Sequence, residues 1–265
     1  MVINVHAGHN ADGHVATGAV GYVKESVEDR LIKDAVIKYL REDGHTVYDC
    51  TVDNAGSQNA NLNQIVAKCN SHTADLDISI HLNAGAADRD EHTTGTEVYI
   101  YNPFDVTNAI ANRICKKIEA LGYCNRGVKV NKSLYVLRKT KAPALLIECF
   151  FVDDKNDVDV YKRTGADAFG KAIAEAIVNK TITSQTVNKK PLEVANTKSE
   201  GNNTFMVKVI VDALNIRRGP GVNNSVVGCI TDKGAYTIVD VNGSWGRLKS
   251  GAGWINTSSA YCKRI

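Results

Sequence analysis

Membrane-spanning and secretory segments are missing from this sequence. Its 265 residues contain no apolar run near the length of about 18 residues that a membrane helix needs. Residues 1–5 run straight into a strand-like pattern, without the basic segment, apolar stretch and small-residue cleavage site of a signal peptide. We therefore expect neither a membrane anchor nor a secretory signal, and work outside a cell would need another route of release.

Paired cysteines are missing as well. The chain has seven cysteines, an odd number, and no two of them have C-x-x-C spacing. This pattern argues against a disulfide framework or a structural zinc knuckle as the basis of the fold. Buried free thiols in a chain made in a reducing compartment are the simpler interpretation.

Tryptophan and methionine are scarce, with two of each, and both tryptophans, Trp245 and Trp254, lie near the C-terminal end. Charge is divided along the chain in a similar way. From residue 205 onward eight Lys and Arg stand against three Asp and Glu, a net charge of +5, whereas residues 1–204 have 24 basic and 26 acidic residues, a net charge of −2. The basic C-terminal part favours an anionic partner, although a solvated surface explains the same charge equally well.

Residues 1–180 alternate strand-like and helix-like segments, which predicts an α/β domain with an open, mainly parallel sheet flanked by helices. Ser26 and Asp29 form an S-x-x-D signal for the start of the first helix. The predicted strands are 2–7, 45–52, 76–82, 96–101 and 143–152, and the predicted helices are 26–42, 59–70, 105–121 and 165–178.

The pattern changes after residue 180. Residues 181–204 are rich in Asn, Thr, Ser and Lys, which is the composition of a linker. Residues 205–265 consist of short strand-like runs divided by turns that contain Gly, Asn or Pro, and this predicts a small all-β barrel. The sequence thus predicts two domains joined by a linker.

Three polar residues stand in or directly after apolar runs of the first domain. His9 follows the strand 2–7, with Gly8 between them to let the chain turn. His81 lies in LDISIHL, and Glu148 lies in the apolar run PALLIECFFV. Because the sites of open parallel sheets gather at the carboxyl ends of the strands, we expect these side chains to converge.

A carboxylate inside an apolar run, such as Glu148, needs a cation, a metal or a proton as its partner, and Arg138 is a candidate cation. Two histidines with carboxylates suit zinc. Glu25 and Glu28 are the candidates for a third ligand. Glu25 precedes Ser26 and is expected in the loop, whereas Glu28 falls in the first helical turn, where a carboxylate simply favours the helix dipole. The residues alone leave this choice open.

Five motifs in order, VINVHAGHN, GAVGYVKES, DISIHLNAG, GTEVYIY and ALLIECFFVD, resemble the zinc-dependent N-acetylmuramoyl-L-alanine amidases of the cell-wall-hydrolase and phage-endolysin type. The resemblance runs from residue 1 to residue 178 or so. It implies that His9, Glu25 and His81 bind Zn²⁺ and that Glu148 is the catalytic acid/base.

Two positions depart from the usual pattern of this family. His6 stands where the family often has Asp, and Asn10 stands where it often has Gly. Neither change removes a ligand, and a supporting or core role suits His6. Asn83, two residues after His81, is a candidate substrate contact, with capping of the following loop as the alternative.

The last segment also resembles a known family. ALNIRRGPG, VVGCI and GAYTIVDVNGSWGRLKSGAGWI, within residues 205–265, resemble the bacterial SH3 domain, which implies a module that binds peptidoglycan. Trp245 and Trp254 are then candidate wall contacts, and packing in the core is the alternative. An internal start at Met206 would yield a free binding domain able to associate with full-length chains, although a methionine in the first strand is the simpler interpretation.

Together the resemblances imply a peptidoglycan hydrolase of the endolysin type, which cleaves the amide bond between N-acetylmuramic acid and L-alanine. The implied partner is the peptidoglycan of a Gram-positive wall, with no nucleic acid and no membrane. The chain is expected to be made in a host cytoplasm without a signal peptide and to act on the wall after release. The alternatives are a zinc peptidase that cuts within the stem peptide and a catalytically inactive wall-binding protein.

Overall fold

The computed structural model describes residues 1–85, 92–182 and 204–265, apart from 213, 218, 222, 223 and 225. The chain divides into two compact units, residues 1–189 and 190–265. Most of the predicted linker, residues 183–203, lies outside the described residues. Within the described ranges, no helix is both long enough and apolar enough to cross a bilayer.

Six strands and five helices are described in the first unit. The strands are β1 (Val2–Ala7), β2 (Thr46–Asp49), β3 (Leu76–Asn83), β4 (Thr96–Ile100), β5 (Asn125–Val130) and β6 (Ala144–Phe151), and the helices are α1 (Glu25–Glu42), α2 (Gln58–Asn70), α3 (Val106–Glu119), α4 (Tyr135–Lys139) and α5 (Lys155–Val178). The sheet order is β2-β1-β3-β6-β4-β5, and the pairing of β4 with β6 is antiparallel while the others are parallel. The prediction of a mainly parallel α/β sheet is confirmed.

Side chains of the central strands alternate between the two faces of this sheet. Ile78 and Leu145 belong to the core shared with α1, α3 and α5. Leu146 packs on the opposite face with Ile65 of α2 and Val136 of α4. The alternation therefore directs the odd-numbered positions of β3 and the even-numbered positions of β6 toward α2 and α4, and this face carries the candidate site.

The elements differ from the prediction in three places. The sequence pattern did not reveal β5 or α4, because β5 is a half-exposed edge strand and α4 is too short to show a period. Helix α5 begins at Lys155, ten residues before the predicted start, and its periodicity is interrupted at Gly165 (φ 76°). Helix α1 begins at Glu25, with Lys24 at the N-cap and no side-chain cap, so the prediction that Ser26 caps this helix is wrong.

The second unit consists of short antiparallel strands. They are β7 (Phe205–Val209), β8 (Leu214–Arg217), β9 (Val226–Ile230), β10 (Ala235–Asn242), β11 (Trp245–Leu248), β12 (Trp254–Asn256) and β13 (Cys262–Arg264). They form one sheet in the order β13-β7-β10-β11-β12-β8-β9. Its own core contains Val209, Ile238 and Ile255. The all-β character is as predicted, and closure into an SH3-like barrel stays a prediction.

Candidate metal and catalytic site

His9, Glu25 and His81 come together at the carboxyl ends of β1 and β3. One ligand atom from each of the three lies within 4.8 Å of the others. The carboxylate of Glu25 bridges the two rings, with Oε2 3.4 Å from Nε2 of His9 and Oε1 3.0 Å from Nδ1 of His81. The imidazoles are partly exposed whereas Glu25 is buried, so the cluster opens toward solvent on the histidine side.

The turn that presents His9 is made by His9 itself. Its backbone is left-handed (φ 56°), a conformation that non-glycine residues adopt rarely and that needs support from its surroundings. Gly8, which the sequence analysis took as the turning residue, has a different role. A Cβ atom at Gly8 would lie 2.1 Å from Cε1 of His81, so only glycine leaves room for that ring.

Arg30 holds this turn in place. Its Nη1 donates to the Gly8 carbonyl (3.3 Å), its Nη2 donates to the His9 carbonyl (3.1 Å), and its Nε donates to Asp53 (3.0 Å). Nη1 also bonds to the buried Asp29 (3.1 Å). Because Arg30 lies on α1, the same helix that carries Glu25, it ties the helix of one candidate ligand to the backbone of another.

Glu25 is the first residue of α1 rather than a loop residue, which corrects the prediction from the sequence. Its carboxylate accepts hydrogen bonds from the backbone of Ala19 (2.7 Å) and Leu82 (3.1 Å) as well as facing the histidines. Burial raises its pKa, but the hydrogen bonds and charges of His81 and His9 outweigh burial and hold the pKa far below its usual value. Glu25 is thus an ionised group directed into the cluster.

Glu28, the other candidate from the sequence, points elsewhere. Its Oε2 accepts a hydrogen bond from the hydroxyl of Tyr161 on α5 (2.7 Å). The structure therefore brings Glu25 to the histidines and leaves Glu28 in the packing between α1 and α5.

Glu148 lies beside His81 in the register of β6 and β3. Its Oε2 is buried and has no hydrogen-bond partner among the described residues. Burial, with the nearby charges of Glu25 and Glu97, raises its pKa to about 8. The proposed pairing with Arg138 is not formed between these described residues, because Oε2 of Glu148 has no partner. Arg138 is exposed, and its guanidinium lies 5.8 Å from the ring centre of Tyr135.

A second carboxylate, Glu97 on β4, faces Glu148 across the antiparallel pair. Glu97 was not among the candidate residues from the sequence, although it begins a largely apolar run in GTEVYIY, a signal similar to the run around Glu148. Glu97 is buried and fully paired, as described below. Asn83, the candidate substrate contact, donates to Glu97 (3.1 Å) and accepts from the backbone of Ala84 (2.8 Å).

His6 is buried in β1, with Nδ1 3.2 Å from the Ala7 carbonyl oxygen. Burial lowers its pKa to about 4, so the ring is neutral at physiological pH. From the sequence, a core role and a supporting role were both open for His6. The structure places it in the floor of the cleft, together with His9 and His81.

A cleft of about 240 Å³ opens over the cluster. It combines a polar floor with an apolar wall from α2, α4, the segment before α4 and β6. The floor includes His6, His9, His81 and Glu148, and the wall includes Leu62, Ile65, Leu134, Val136 and Leu146. This is the shape expected of a site that orients a substrate by a few polar groups.

The residues of the cluster fit a zinc ion. Two imidazoles and one ionised carboxylate are a donor set that zinc favours, and three protein ligands leave a position for water or substrate, as in catalytic sites. The space is shaped for these ligands, because a Cβ atom at Gly18 would lie 2.3 Å from Oε2 of Glu25. Next to His81, Glu148 adds a buried carboxyl oxygen to which no described residue donates a hydrogen bond.

The two tryptophans of the second unit lie on neighbouring strands. Trp245 pairs with Asn256, and Arg247 pairs with Trp254, so both indoles project from the same face of the β11–β12 pair. Ile255, between them in the register, is fully buried in the core. The tryptophans therefore face away from that core and are partly exposed.

Comparisons with known proteins agree on the first unit. The family described as N-acetylmuramoyl-L-alanine amidase (Amidase_3) matches residues 3–179. The uncharacterized protein CPE1502 of Clostridium perfringens is 38% identical over 211 residues, 76% of this chain. The chain spans only 61% of the length of that relative.

Two further similar proteins are named for an activity or a role. The N-acetylmuramoyl-L-alanine amidase CwlM of Bacillus licheniformis is 35% identical over 124 residues, which are 46% of this chain and 45% of CwlM. The catalytic domain of CD27L, an endolysin targeting Clostridia difficile, superposes with a TM-score of 0.63 at 31% identity. That match covers 69% of this chain and 99% of the CD27L domain.

Proposed function

This chain belongs to the N-acetylmuramoyl-L-alanine amidase family, and from that premise we propose that it is a zinc-dependent, endolysin-like hydrolase of peptidoglycan. The bond cleaved is the amide between N-acetylmuramic acid and L-alanine. One observation carries the proposal: a His-Glu-His cluster lies beside a buried carboxyl group that has no partner among the described residues.

His9, Glu25 and His81 are the residues that would hold the zinc. A zinc ion bound there would supply a Lewis acid, which polarises a carbonyl group and lowers the pKa of bound water. Glu25 contributes the negative charge of the ligand set, and its bonds from Ala19 and Leu82 fix its carboxylate before any metal binds. Arg30 fixes the turn of His9 in the same way.

Glu148 moves the proton. As a carboxylate it accepts a proton from water at Oε2, and as an acid it returns the proton to the departing nitrogen of L-alanine. Both states must be reachable near neutral pH, and burial, which raises the pKa of Glu148 to about 8, makes them so. The cost of leaving its Oε2 without a donor is explained by this use.

The apolar wall of the cleft contacts and positions the substrate. Leu62, Leu134 and Val136 cover one side of the floor that carries His81 and Glu148. Such a wall excludes bulk water and suits the methyl groups that flank the scissile amide, on the lactyl and L-alanyl sides.

For the second unit we propose an SH3-like module that binds the wall of a Gram-positive bacterium. The outward-facing pair of Trp245 and Trp254 and the net charge of +5 after residue 204 (eight Lys and Arg against three Asp and Glu) support it. The chain then acts on the wall after release from the host cytoplasm. Met206 lies in β7, and a second product starting there would disappear on Met206→Leu.

The chemistry of digested wall tests the amidase proposal. Purified Gram-positive walls are treated with the zinc-loaded chain, and the products are analysed by mass spectrometry. New amino-terminal L-alanine is expected, with loss of turbidity that stops when a chelator is added. Cuts within the stem peptide would show a peptidase instead, and binding without any new amino terminus would show an inactive wall-binding protein.

A further inference from the structure

The polar residues of the site continue across the sheet beyond Glu148. His81 pairs with Glu148 between β3 and β6, and Glu148 pairs with Glu97 between β6 and β4. Paired residues of adjacent strands project to the same face, so these three side chains form one row. The row points toward β5, which carries Arg126 and Lys129.

Glu97 is the centre of a dense set of hydrogen bonds at the end of this row. Its Oε2 accepts from Nε of Arg126 (2.6 Å) and from Nζ of Lys129. Its Oε1 accepts from the hydroxyl of Tyr99 (2.7 Å) and from Nδ2 of Asn83 (3.1 Å). The side chain of Glu97 is only 3% exposed, so these four donors satisfy its carboxylate from within the protein.

Arg126 and Lys129 carry more positive charge than is needed to neutralise Glu97. One positive charge would neutralise this carboxylate, and the second leaves the group with a net charge of +1. The side chains of Arg126 and Lys129 are 36% and 38% exposed, so this surplus charge is accessible to solvent.

Arg126 in particular is fixed in place by only part of its guanidinium group. Its Nε is used by Glu97, and the guanidinium lies 5.0 Å from the ring centre of Phe151. Nη1 and Nη2 of Arg126 make no hydrogen bond to any described residue. A guanidinium fixed through Nε, with both terminal nitrogens available, is prepared to bind a carboxylate through two parallel hydrogen bonds.

We propose that Arg126 and Lys129 form a subsite for a carboxylate of the stem peptide. The proposal rests on the amidase function and adds a substrate preference to it. The distance from β6 to β5, two strands away, is about 10 Å at the usual strand spacing. An extended peptide covers this distance in about three residues. A carboxylate carried by the residue after L-alanine reaches that far, and D-glutamate linked onward through its γ-carboxyl group, with its α-carboxylate free, is such a residue.

Two ligands that differ in one group test this subsite. N-acetylmuramoyl-L-alanyl-D-glutamate with its γ-carboxyl group blocked as the methylamide is compared with the same compound carrying an α-amide in place of the α-carboxylate, so that the second ligand has no free carboxylate on this residue. Binding to the zinc-loaded full chain is measured by calorimetry in the Glu148→Gln background, and mass spectrometry verifies that the ligands stay intact. We expect the acid to bind about tenfold more tightly than the amide, as for a charge-assisted bidentate contact.

Substitutions then locate the preference. Arg126→Gln should reduce it to about twofold or less, and Arg126→Lys should keep part of it because the charge remains. Lys129→Gln should weaken it less. Lys139→Gln removes the same charge from an exposed residue of α4 and should leave the preference unchanged. Circular dichroism of each variant checks the fold.

Equal binding of the two ligands to the Glu148→Gln chain would overturn the subsite. So would a preference that persists in both Arg126→Gln and Lys129→Gln, or a failure to bind either ligand. The amidase proposal fails separately, by the absence of new amino-terminal L-alanine in walls digested with the parent chain.

Discussion

The carboxylates on the two sides of Glu148 differ in whether they already have cationic partners. On the metal side, formed by His9, Glu25 and His81, carboxylate and imidazole groups converge around a space that a cation would fill. On the cation side, formed by Glu97, Arg126 and Lys129, the carboxylate already has its cations.

This difference shows that partners, more than burial, decide the protonation of a carboxyl group. Glu148 and Glu97 face each other on adjacent strands, and burial acts to raise the pKa of both. Hydrogen bonds from Arg126, Lys129 and Tyr99 hold the pKa of Glu97 at about 2. Glu148, without such donors, has a pKa of about 8. The first arrangement suits a positioning group and the second suits a proton carrier.

The largest effect is expected on the metal side. Glu25→Gln removes the negative charge of the proposed zinc ligands, so we expect loss of bound zinc and of wall lysis. Glu28→Gln is the matched control on the same helix, because its side chain bonds to Tyr161 instead. Metal content by mass spectrometry is the measurement. Retention of zinc by Glu25→Gln at the parent affinity would rule out this ligand assignment.

Arg30→Gln should have the next largest effect. Without the bonds from Arg30 to the Gly8 and His9 carbonyls, the left-handed turn of His9 is less well fixed, and zinc affinity should fall about 10- to 100-fold, as for other groups that support ligands. Competition with a chelator measures it. Arg41→Gln on the same helix also loses a bond to a backbone carbonyl, but far from the site, and should bind zinc normally. Equal losses in both variants would show a general structural effect.

A smaller effect distinguishes the two facing carboxylates in the metal-free protein. The folded pKa of Glu148 (about 8) lies above the ordinary value of 4.5, so this group destabilises the fold as pH rises from 4.5 through 8. The folded pKa of Glu97 (about 2) lies below 4.5, so its contribution is present above 4.5 and is lost as pH falls toward 2.

Urea unfolding with chelator present measures this contrast. At about pH 9 we expect Glu148→Gln to be more stable than the parent, and Glu97→Gln to be less stable, each by about 1–3 kcal/mol. The Glu148→Gln difference should disappear below pH 4.5. Destabilisation of similar size by both substitutions at high pH would contradict the account.

The smallest effect concerns the second unit. Trp254→Ala should weaken binding of the chain to intact walls several-fold, because the indole lies on the face away from the core. Turnover of a soluble muramoyl peptide should not change. Tyr261→Ala, at another exposed aromatic residue, is the control. Unfolding of the second unit by Trp254→Ala would favour the packing interpretation instead.

Much of the fold was predictable, because apolar periodicity reports burial. The five predicted strands of the first unit and the helices at 26–42 and 59–70 match the observed elements to within a few residues. The edge strand β5 was missed because its exposed positions and Gly127 weaken the strand pattern. The start of α1 was misplaced because Ser26 has the residue type of a cap but is buried inside the helix.

The site was predictable in part. Glu148 can be singled out from the sequence, because burying a carboxylate in an apolar run is costly. The choice between Glu25 and Glu28 depends on where each side chain points, and the residue type does not reveal that. The roles of Arg30 and Glu97 come from contacts made across long sequence separations. No local pattern encodes such contacts.

Glu148→Gln tests the central claim most directly, because it changes the proton carrier and keeps its shape. Zinc content and amino-terminal L-alanine are measured on the same preparation, with the parent alongside. We predict one zinc per chain, as in the parent, and release of L-alanine termini slower by about 10²- to 10⁴-fold. Parent-like release by the zinc-loaded variant would contradict the assignment of Glu148 as the acid/base.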